Sequence, residues 1–213
     1  MSSSRQTSNR FDDTPARHRA FEKIYWKSKI FKVDFKKAVH TVKLVAIKPQ
    51  TINDYGPTNH FLLHFSGPSK NIGSLDINPW KIEGNPLEGL VNLYPLLNPL
   101  EEDNTDGSDS SNDDDSEKRI VKDEEYRVLG QGLTIKRIVD ILVENRRDRY
   151  DFNGNGEGCT YWCKKVLKDL TKEGFLEQDV PEKAMDFMSY CWSDKRPEKV
   201  PRAPQRGTFH SRP

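Results

Sequence analysis

The sequence has little of what marks secreted, membrane-spanning or metal-binding proteins. Its 213 residues include only three cysteines, an odd number that makes no disulfide framework. Cys159 and Cys163 lack the second Cys/His pair of a zinc site, so we expect no metal and no other cofactor. No run approaches the roughly 18 apolar residues of a membrane span, and the N-terminus has no apolar signal region. These absences favour a reducing intracellular compartment, the cytoplasm or else the nucleus.

Hydrophobic residues are also scarce, at 34%, and the mean hydropathy is −0.85. The length suits one domain with unpacked extensions. The net charge is +1, but the charges are unevenly distributed along the chain. Residues 101–117 hold nine acidic residues and no basic ones, whereas the rest of the chain holds 34 basic and 24 acidic residues. A basic body can attract an anionic partner such as RNA, but a solvated surface is the simpler interpretation.

Composition divides the chain into four parts. Residues 1–19 are rich in Ser, Arg and Asp without periodicity and are predicted to be a disordered arm. Residues 20–193 form the predicted domain. Nothing in the acidic stretch 101–118 can be buried, so we expect a disordered insertion there. Residues 194–213 form a Pro-rich tail, predicted to be extended or loose.

The pattern of the domain places strands first and helices after them, which predicts an α+β fold with a small antiparallel sheet packed on two to three helices. Alternating and β-branched residues predict strands over 39–47, 60–65, 72–77, 89–97 and 126–129. Apolar spacing predicts helices capped by Thr134, running from Cys159 to Gly174, and running from Pro181 to Tyr190.

A glycine-rich stretch over 150–158 leads directly into the second predicted helix and delivers Cys159 to its first turn. Unpaired backbone N–H groups and the helix dipole at that position favour a thiolate over a thiol. A different interpretation is a small buried side chain, because one helical face carries Cys159, Trp162, Cys163, Val166, Leu167 and Leu170.

A thiol nucleophile needs a base, and a third group that orients the base. His60 and His64 are four residues apart on one predicted strand, so they face the same side, and either is a candidate base for Cys159. Asp76, on the paired strand of the hairpin, is the candidate that accepts a hydrogen bond from the imidazole Nδ1–H. The Cys159 backbone N–H, with a neighbouring amide or side chain, is a candidate oxyanion donor.

The order of these residues resembles that of the circularly permuted papain-like thiol hydrolases and acyltransferases, which include NlpC-related, PPPDE-like and lecithin–retinol-acyltransferase-like families. Their motif has a histidine at the start of a strand, then a tyrosine, then Asn-Cys-x-x-aromatic at the start of a helix. His60, Tyr150, Cys159 and Trp162 match that motif, whereas Gly158 stands where the family has Asn. The fuller pattern Tyr-x-Phe-Asn-x-x-Gly-x-Gly-Cys-x-Tyr-Trp is similar to fungal domains of unknown function.

The resemblance implies a permuted papain-like fold and acyl chemistry at Cys159, with His60 as base and substrate contacts from Tyr150, Tyr161 and Trp162. The leading hypothesis is therefore hydrolysis or transfer of an amide, ester or thioester through an acyl-cysteine intermediate. A second hypothesis is an inactive domain of the same fold that binds a protein partner. A third, which we favour least, is RNA binding or aminoacyl transfer by the basic body.

Overall fold

A computed structural model gives the structure of the chain and describes residues 24–26, 34–51, 56–80, 88–94, 120–193 and 196–210. The predicted N-terminal arm and the acidic insertion lie outside the described residues.

The described residues form strands and helices in the order that the pattern predicts. The strands are Ile24–Trp26 (β1), Thr41–Ile47 (β2), Gln50–Thr51 (β3), Pro57–Thr58 (β4), Phe61–Ser66 (β5), Asn71–Trp80 (β6), Glu88–Tyr94 (β7), Ile120–Arg127 (β8), Tyr150–Asp151 (β9), Tyr190–Ser193 (β10), Arg196–Pro201 (β11) and Thr208–Phe209 (β12). The helices are Ile135–Glu144 (α1), Cys159–Lys172 (α2) and Val180–Phe187 (α3).

Eight of these strands form one sheet, in the order β12-β9-β7-β6-β5-β2-β8, with β1 added parallel to β7. The other pairs in this sheet are antiparallel. Two small ribbons, β3-β4 and β10-β11, lie outside it. The predicted α+β fold is confirmed.

The end strand β8 differs most from its prediction. It begins at Ile120, not at Tyr126, because it pairs along the whole length of β2, from Thr41 to Ile47. Its outer residues are charged and alternate with partly buried ones, so periodicity alone did not reveal its first half. Charged residues are also what keeps an exposed sheet edge from pairing with other chains.

The first helix begins and packs as its sequence predicts. Thr134 caps α1, and its side-chain oxygen accepts a hydrogen bond from the Arg137 backbone N–H at 3.1 Å. The buried face of α1 consists of five apolar residues at the spacing of a helix, Ile135, Ile138, Val139, Ile141 and Leu142.

The second helix is the one that positions the candidate site. Its predicted bounds are confirmed, and Gly174 follows it with φ of +80°, a conformation that glycine adopts easily. Trp162 and Cys163 are fully buried against the sheet, and the Trp162 indole Nε1–H donates to the Arg147 carbonyl at 2.8 Å. The Arg147 guanidinium also pairs with Asp169, at 2.5 Å, which fixes the helix against the chain segment before it.

The C-terminal segment, predicted to be a tail, is extended and packs on the domain. β11 pairs with β10, and β12 pairs with β9, the short strand just before the glycine-rich turn. The Phe209 ring lies 4.6 Å from the Tyr150 ring, measured between centroids. The end of the chain is thereby held beside the start of α2.

Candidate active site

A tight turn over residues 153–158 delivers Cys159 to the first position of α2. The Asn153 side-chain oxygen accepts hydrogen bonds from the backbone N–H groups of Asn155, at 3.1 Å, and Glu157, at 2.9 Å. An asparagine that bonds its own following backbone in this way stabilises a turn without help from a strand or helix. The direction in which the chain enters α2 is therefore set by the turn itself.

Gly158 is the last residue of this turn, and its environment requires a glycine. Its φ is +153°, a backbone conformation that side-chain-bearing residues rarely adopt. The Tyr150 hydroxyl donates to the Gly158 carbonyl at 2.8 Å and accepts from the Gly207 N–H at 2.8 Å. One buried hydroxyl thus ties the turn before Cys159 to the C-terminal segment.

Cys159 and His60 lie at the same cavity wall and perturb each other's pKa. Burial alone would raise the pKa of the Cys159 thiol, but the hydrogen bond and positive charge of His60, with backbone N–H groups of Phe61 and Thr160, lower that pKa below its ordinary value. Burial alone would lower the pKa of His60, but its contacts with Asp76 and Cys159 raise it to about 10. The two shifts agree with each other, because each describes a thiolate beside an imidazolium.

Asp76 stands behind His60. Its Oδ2 atom lies 3.5 Å from His60 Nε2, the separation of an ion pair rather than of a short hydrogen bond. Nε2 is buried, although the His60 side chain as a whole is 28% exposed, and it has no closer hydrogen-bond partner within the described part of the chain. The ring nitrogen that faces Asp76 is Nε2, so the prediction of an Nδ1–H contact is wrong. Nδ1 is left on the other side of the ring.

The other two cysteines have none of this activation. Burial, together with the negative charges of Cys159 and Asp76, raises the pKa of Cys163 well above its ordinary value. The Cys163 thiol donates to the Phe61 carbonyl at 3.6 Å, and Cys191 is buried on β10. Of the three thiols, only Cys159 is partly exposed.

Cys159 and His60 line a cavity of about 880 Å³, a volume in the range of small-molecule and peptide sites. The turn over 154–158 forms one wall, and residues 202–205 of the C-terminal segment form another. Its lining includes the polar residues Asn59, Asn78, Glu157, Thr160 and Gln205. A substrate in this cavity would meet the sulfur and several hydrogen-bonding groups together.

The C-terminal wall is attached to the turn by specific contacts. The Arg202 guanidinium pairs with the Glu157 carboxylate and also donates to the Pro57 carbonyl at 3.3 Å. The Thr160 hydroxyl, one residue after the nucleophile, donates to the Gln205 carbonyl at 3.2 Å. The shape of the cavity therefore depends on residues more than 40 positions beyond Cys159 in the sequence.

His64, the alternative base, is not brought to Cys159. It lies opposite Lys43 in the β2–β5 pair, and it does not line the cavity. Burial, followed by the positive charge of Lys43, lowers its pKa to about 4. The His60 carbonyl accepts a hydrogen bond from the Ile47 N–H at 2.9 Å, so His60 continues the β2–β5 ladder, and His64 lies four residues farther along the chain, about 13 Å away. His64 is therefore too far along the strand to act as the base for Cys159.

The three aromatic residues expected to bind substrate have other contacts. Tyr150 and Trp162 are completely buried, so a substrate in the cavity cannot reach them and that prediction is wrong for both. Tyr161 is half-buried, and its ring packs against Phe209 and under the Arg206 guanidinium rather than lining the cavity. These rings fix the segment that carries Cys159.

Sequence reasoning missed several residues of the site. Asn78 and Asn92 donate to the two oxygens of Asp76, each at 2.9 Å. The alternation of β6 was a usable signal for Asn78, which lies two residues after Asp76 and so faces the same side. No local signal points to Asn92 or Arg202, because both reach the site through pairings between distant parts of the chain.

Within the described residues, no cluster of three or more His, Cys, Asp or Glu side chains is arranged to hold a metal ion. In that same part of the chain, no helix is long and apolar enough to cross a membrane.

A family comparison covers the whole of this site. Residues 42–210 match the family model described as "Domain of unknown function (DUF7770)", which is well over half of the chain. The chain belongs to this family. The matched part of this DUF7770 domain begins in β2 and ends at His210, so it includes the candidate pair and both walls of the cavity. No curated protein and no solved structure matches the chain.

Proposed function

We propose that this DUF7770 domain is a thiol-dependent hydrolase or acyltransferase of the permuted papain-like kind. Cys159 is the nucleophile, His60 the general base and acid, and Asp76 the group that orients His60. The observation that carries this proposal is the Cys159–His60 pair, with a lowered thiol pKa and a raised imidazole pKa, at the wall of a cavity. Perturbed and mutually dependent pKa values in a cleft are typical of catalytic pairs.

The position of Cys159 supports nucleophilic attack. In the first step its thiolate forms a C–S bond to the carbonyl carbon of an amide, ester or thioester, and the carbonyl π electrons move to the oxygen. When these electrons return to form the carbonyl double bond again, the bond to the leaving group breaks and His60 gives that group a proton. Water or another acceptor then attacks the acyl-cysteine and transfers its proton to His60, and the thiolate leaves.

The negative oxygen formed in each step needs hydrogen-bond donors. The Cys159 backbone N–H lies in the first turn of α2, where N–H groups have no acceptor within the helix. Gln205 also lines the cavity, but its backbone carbonyl accepts from the Thr160 hydroxyl and its side-chain Nε2 donates to the Ala203 carbonyl at 3.2 Å. The Cys159 N–H is therefore the first candidate oxyanion donor, with a neighbouring amide or side chain as the second.

The decisive experiment measures which thiol reacts. Folded protein is treated with a limiting amount of iodoacetamide, and the labelled cysteine is identified by peptide mass spectrometry. We expect labelling of Cys159 before Cys163 and Cys191, both of which are buried. Cys159→Ser should abolish this rapid phase, whereas the control Cys191→Ser should keep it. Equal labelling of all three cysteines, seen only after denaturation, would reject the proposal.

A panel of acyl substrates then tests turnover. Amide, ester and thioester compounds are offered to the wild-type protein and to Cys159→Ser, and an acyl-protein adduct is sought by intact mass. An adduct on Cys159 that water or an amine releases supports the proposed reaction. A reactive Cys159 that forms no adduct with any acyl class favours instead the inactive, partner-binding domain.

A further inference from the structure

The buried asparagine on β7 touches neither Cys159 nor His60, yet it holds the third member of the candidate triad. Asn92 lies directly opposite Asp76 in the β6–β7 pair and is only 4% exposed. Its side-chain Nδ2 donates to Asp76 Oδ1 at 2.9 Å and, more weakly, to the Leu90 carbonyl at 3.3 Å. An amide buried this deeply next to a carboxylate is a specific choice, since most residues at central strand positions are apolar.

Asn78 holds the other oxygen of the same carboxylate. Its Nδ2 donates to Asp76 Oδ2 at 2.9 Å, and Oδ2 is also the atom that faces His60 Nε2 at 3.5 Å. Two amides, from two strands, therefore fix the two oxygens of one carboxylate. The carboxylate cannot rotate about its Cβ–Cγ bond without losing one of these hydrogen bonds.

Ionised carboxylates are costly to bury, and hydrogen bonds from neutral donors reduce that cost without supplying a competing charge. A lysine or arginine in place of Asn92 would neutralise Asp76 and weaken its attraction for a protonated His60. The two asparagines avoid this, so the negative charge of Asp76 remains directed at the imidazole. This arrangement is suited to stabilising an imidazolium and, through it, a thiolate.

We propose that Asn92, assisted by Asn78, is a positioning residue that acts through Asp76 and His60 to keep Cys159 in its thiolate form. This inference rests on the proposed function of the Cys159–His60 pair. It assigns Asn92 a role beyond packing, because the effect of its removal should appear at a sulfur atom that it does not contact.

The test measures the rate of Cys159 alkylation by iodoacetamide as a function of pH, so it needs no knowledge of the substrate. The titratable groups near Asp76 in the described part of the chain are His60, Cys159 and Cys163. Cys163→Ala is therefore the background for all variants. In that background Asn92→Ala should move the alkylation midpoint upward by about one pH unit, which is about a tenfold loss of thiolate below the midpoint.

Asn145→Ala is the matched control. Asn145 is a partly buried asparagine whose Nδ2 donates only to a backbone carbonyl, that of Ile141, at 2.9 Å. Its removal should reduce stability at the end of α1 and leave the alkylation midpoint unchanged. A structural role for Asn92 would give the same result, a loss of stability with an unchanged midpoint, and that result overturns the inference.

Asn78→Ala keeps the test usable if Asn92→Ala does not fold. Asn78 is only half-buried, so its removal costs less stability, and it should shift the midpoint in the same direction. A wild-type midpoint at the ordinary value for a thiol would refute the proposed function together with this inference. A low wild-type midpoint that neither asparagine variant moves refutes the inference alone.

Discussion

Gly158 and the Tyr150 hydroxyl are so close that no side chain fits between them. A Cβ atom at Gly158 would lie 2.5 Å from Tyr150 Oη, and the φ of +153° at Gly158 is itself unfavourable for other residues. The tyrosine fixes the turn before Cys159, because its hydroxyl bonds the Gly158 carbonyl directly.

We expect Gly158→Ala to destabilise the domain and to displace Cys159. The backbone conformation alone should cost about 1–3 kcal/mol, and the contact with Tyr150 adds to it. Gly154→Ala in the same turn is the control, because a Cβ there meets nothing within 4 Å, and it should change stability by no more than about 0.5 kcal/mol. Urea denaturation followed by tryptophan fluorescence measures both. Equal stabilities of the two variants would contradict the account of Gly158.

Tyr150→Phe tests the hydroxyl without disturbing the ring. The variant leaves the Gly158 carbonyl and the Gly207 N–H without their shared partner, which should cost about 1–3 kcal/mol. We also expect slower alkylation of Cys159, since the turn before it loses its attachment. Tyr161→Phe is the control, because the described contacts of Tyr161 are made by its ring. A slower reaction in Tyr161→Phe alone would show that the attachment was assigned to the wrong tyrosine.

Local sequence signals predicted the part of the site that is local. Thr134 capped its helix as predicted, α2 began at Cys159 and ended before Gly174, and His60 rather than a tail histidine lies at the sulfur. These features depend on capping, on apolar spacing and on the residue at the start of a strand. Such signals lie within a few residues of the feature that they predict.

The remaining features depend on contacts between distant segments, which one sequence does not reveal. Asn92 reaches Asp76 only through the register of β6 and β7, and Arg202 reaches Glu157 across 45 residues. The choice between His60 and His64 has a similar cause. Alternation puts both on one side of the strand, and only the packing of α2 against the sheet shows that Cys159 lies at the His60 end, whereas His64 lies opposite Lys43.

The Cys159–His60 pair predicts an unusual dependence of stability on pH. The pKa of His60 is raised to about 10 in the folded protein. Its contribution to the free energy of unfolding is therefore complete below about 6.5, the pKa in the unfolded chain, and is lost as the pH rises through 10. The pKa of Cys159 is lowered in the folded protein. Its contribution to the free energy of unfolding is therefore complete above about 9, the pKa in the unfolded chain, and is lost as the pH falls through the pKa in the folded protein. Between about 6.5 and 9 the two slopes cancel wherever Cys159 is ionised in the folded protein, which predicts a plateau that ends in a loss of stability above about 9.

The measurement compares the free energy of unfolding of the wild-type protein with that of the double variant Cys159→Ser/His60→Gln across this range. The difference between them should be flat on the alkaline side of neutral pH and should decrease as the pH rises from about 9 through 10. His64→Gln is the control, because the lowered pKa of His64 keeps it neutral in the folded protein at these pH values. A difference that changes steadily through neutral pH would contradict the thiolate–imidazolium description.

The ion pair between Arg202 and Glu157 attaches the C-terminal wall of the cavity to the turn before Cys159. We expect a large coupling free energy between these two side chains. The Glu157 side chain is only 8% exposed, so Arg202→Met leaves a nearly buried carboxylate without its charged partner and should cost about 3–5 kcal/mol. Arg202→Met/Glu157→Gln removes both charges and should recover most of that loss. Lys136→Met, which breaks an exposed pair with Asp140, is the control and should cost less than about 1 kcal/mol. Thermal or urea unfolding of the wild type, Arg202→Met, Glu157→Gln and the double variant gives the coupling free energy. Additive losses in the double variant would show that the wall is held by its other contacts, and the alkylation rate of Cys159 should then be the same in all four.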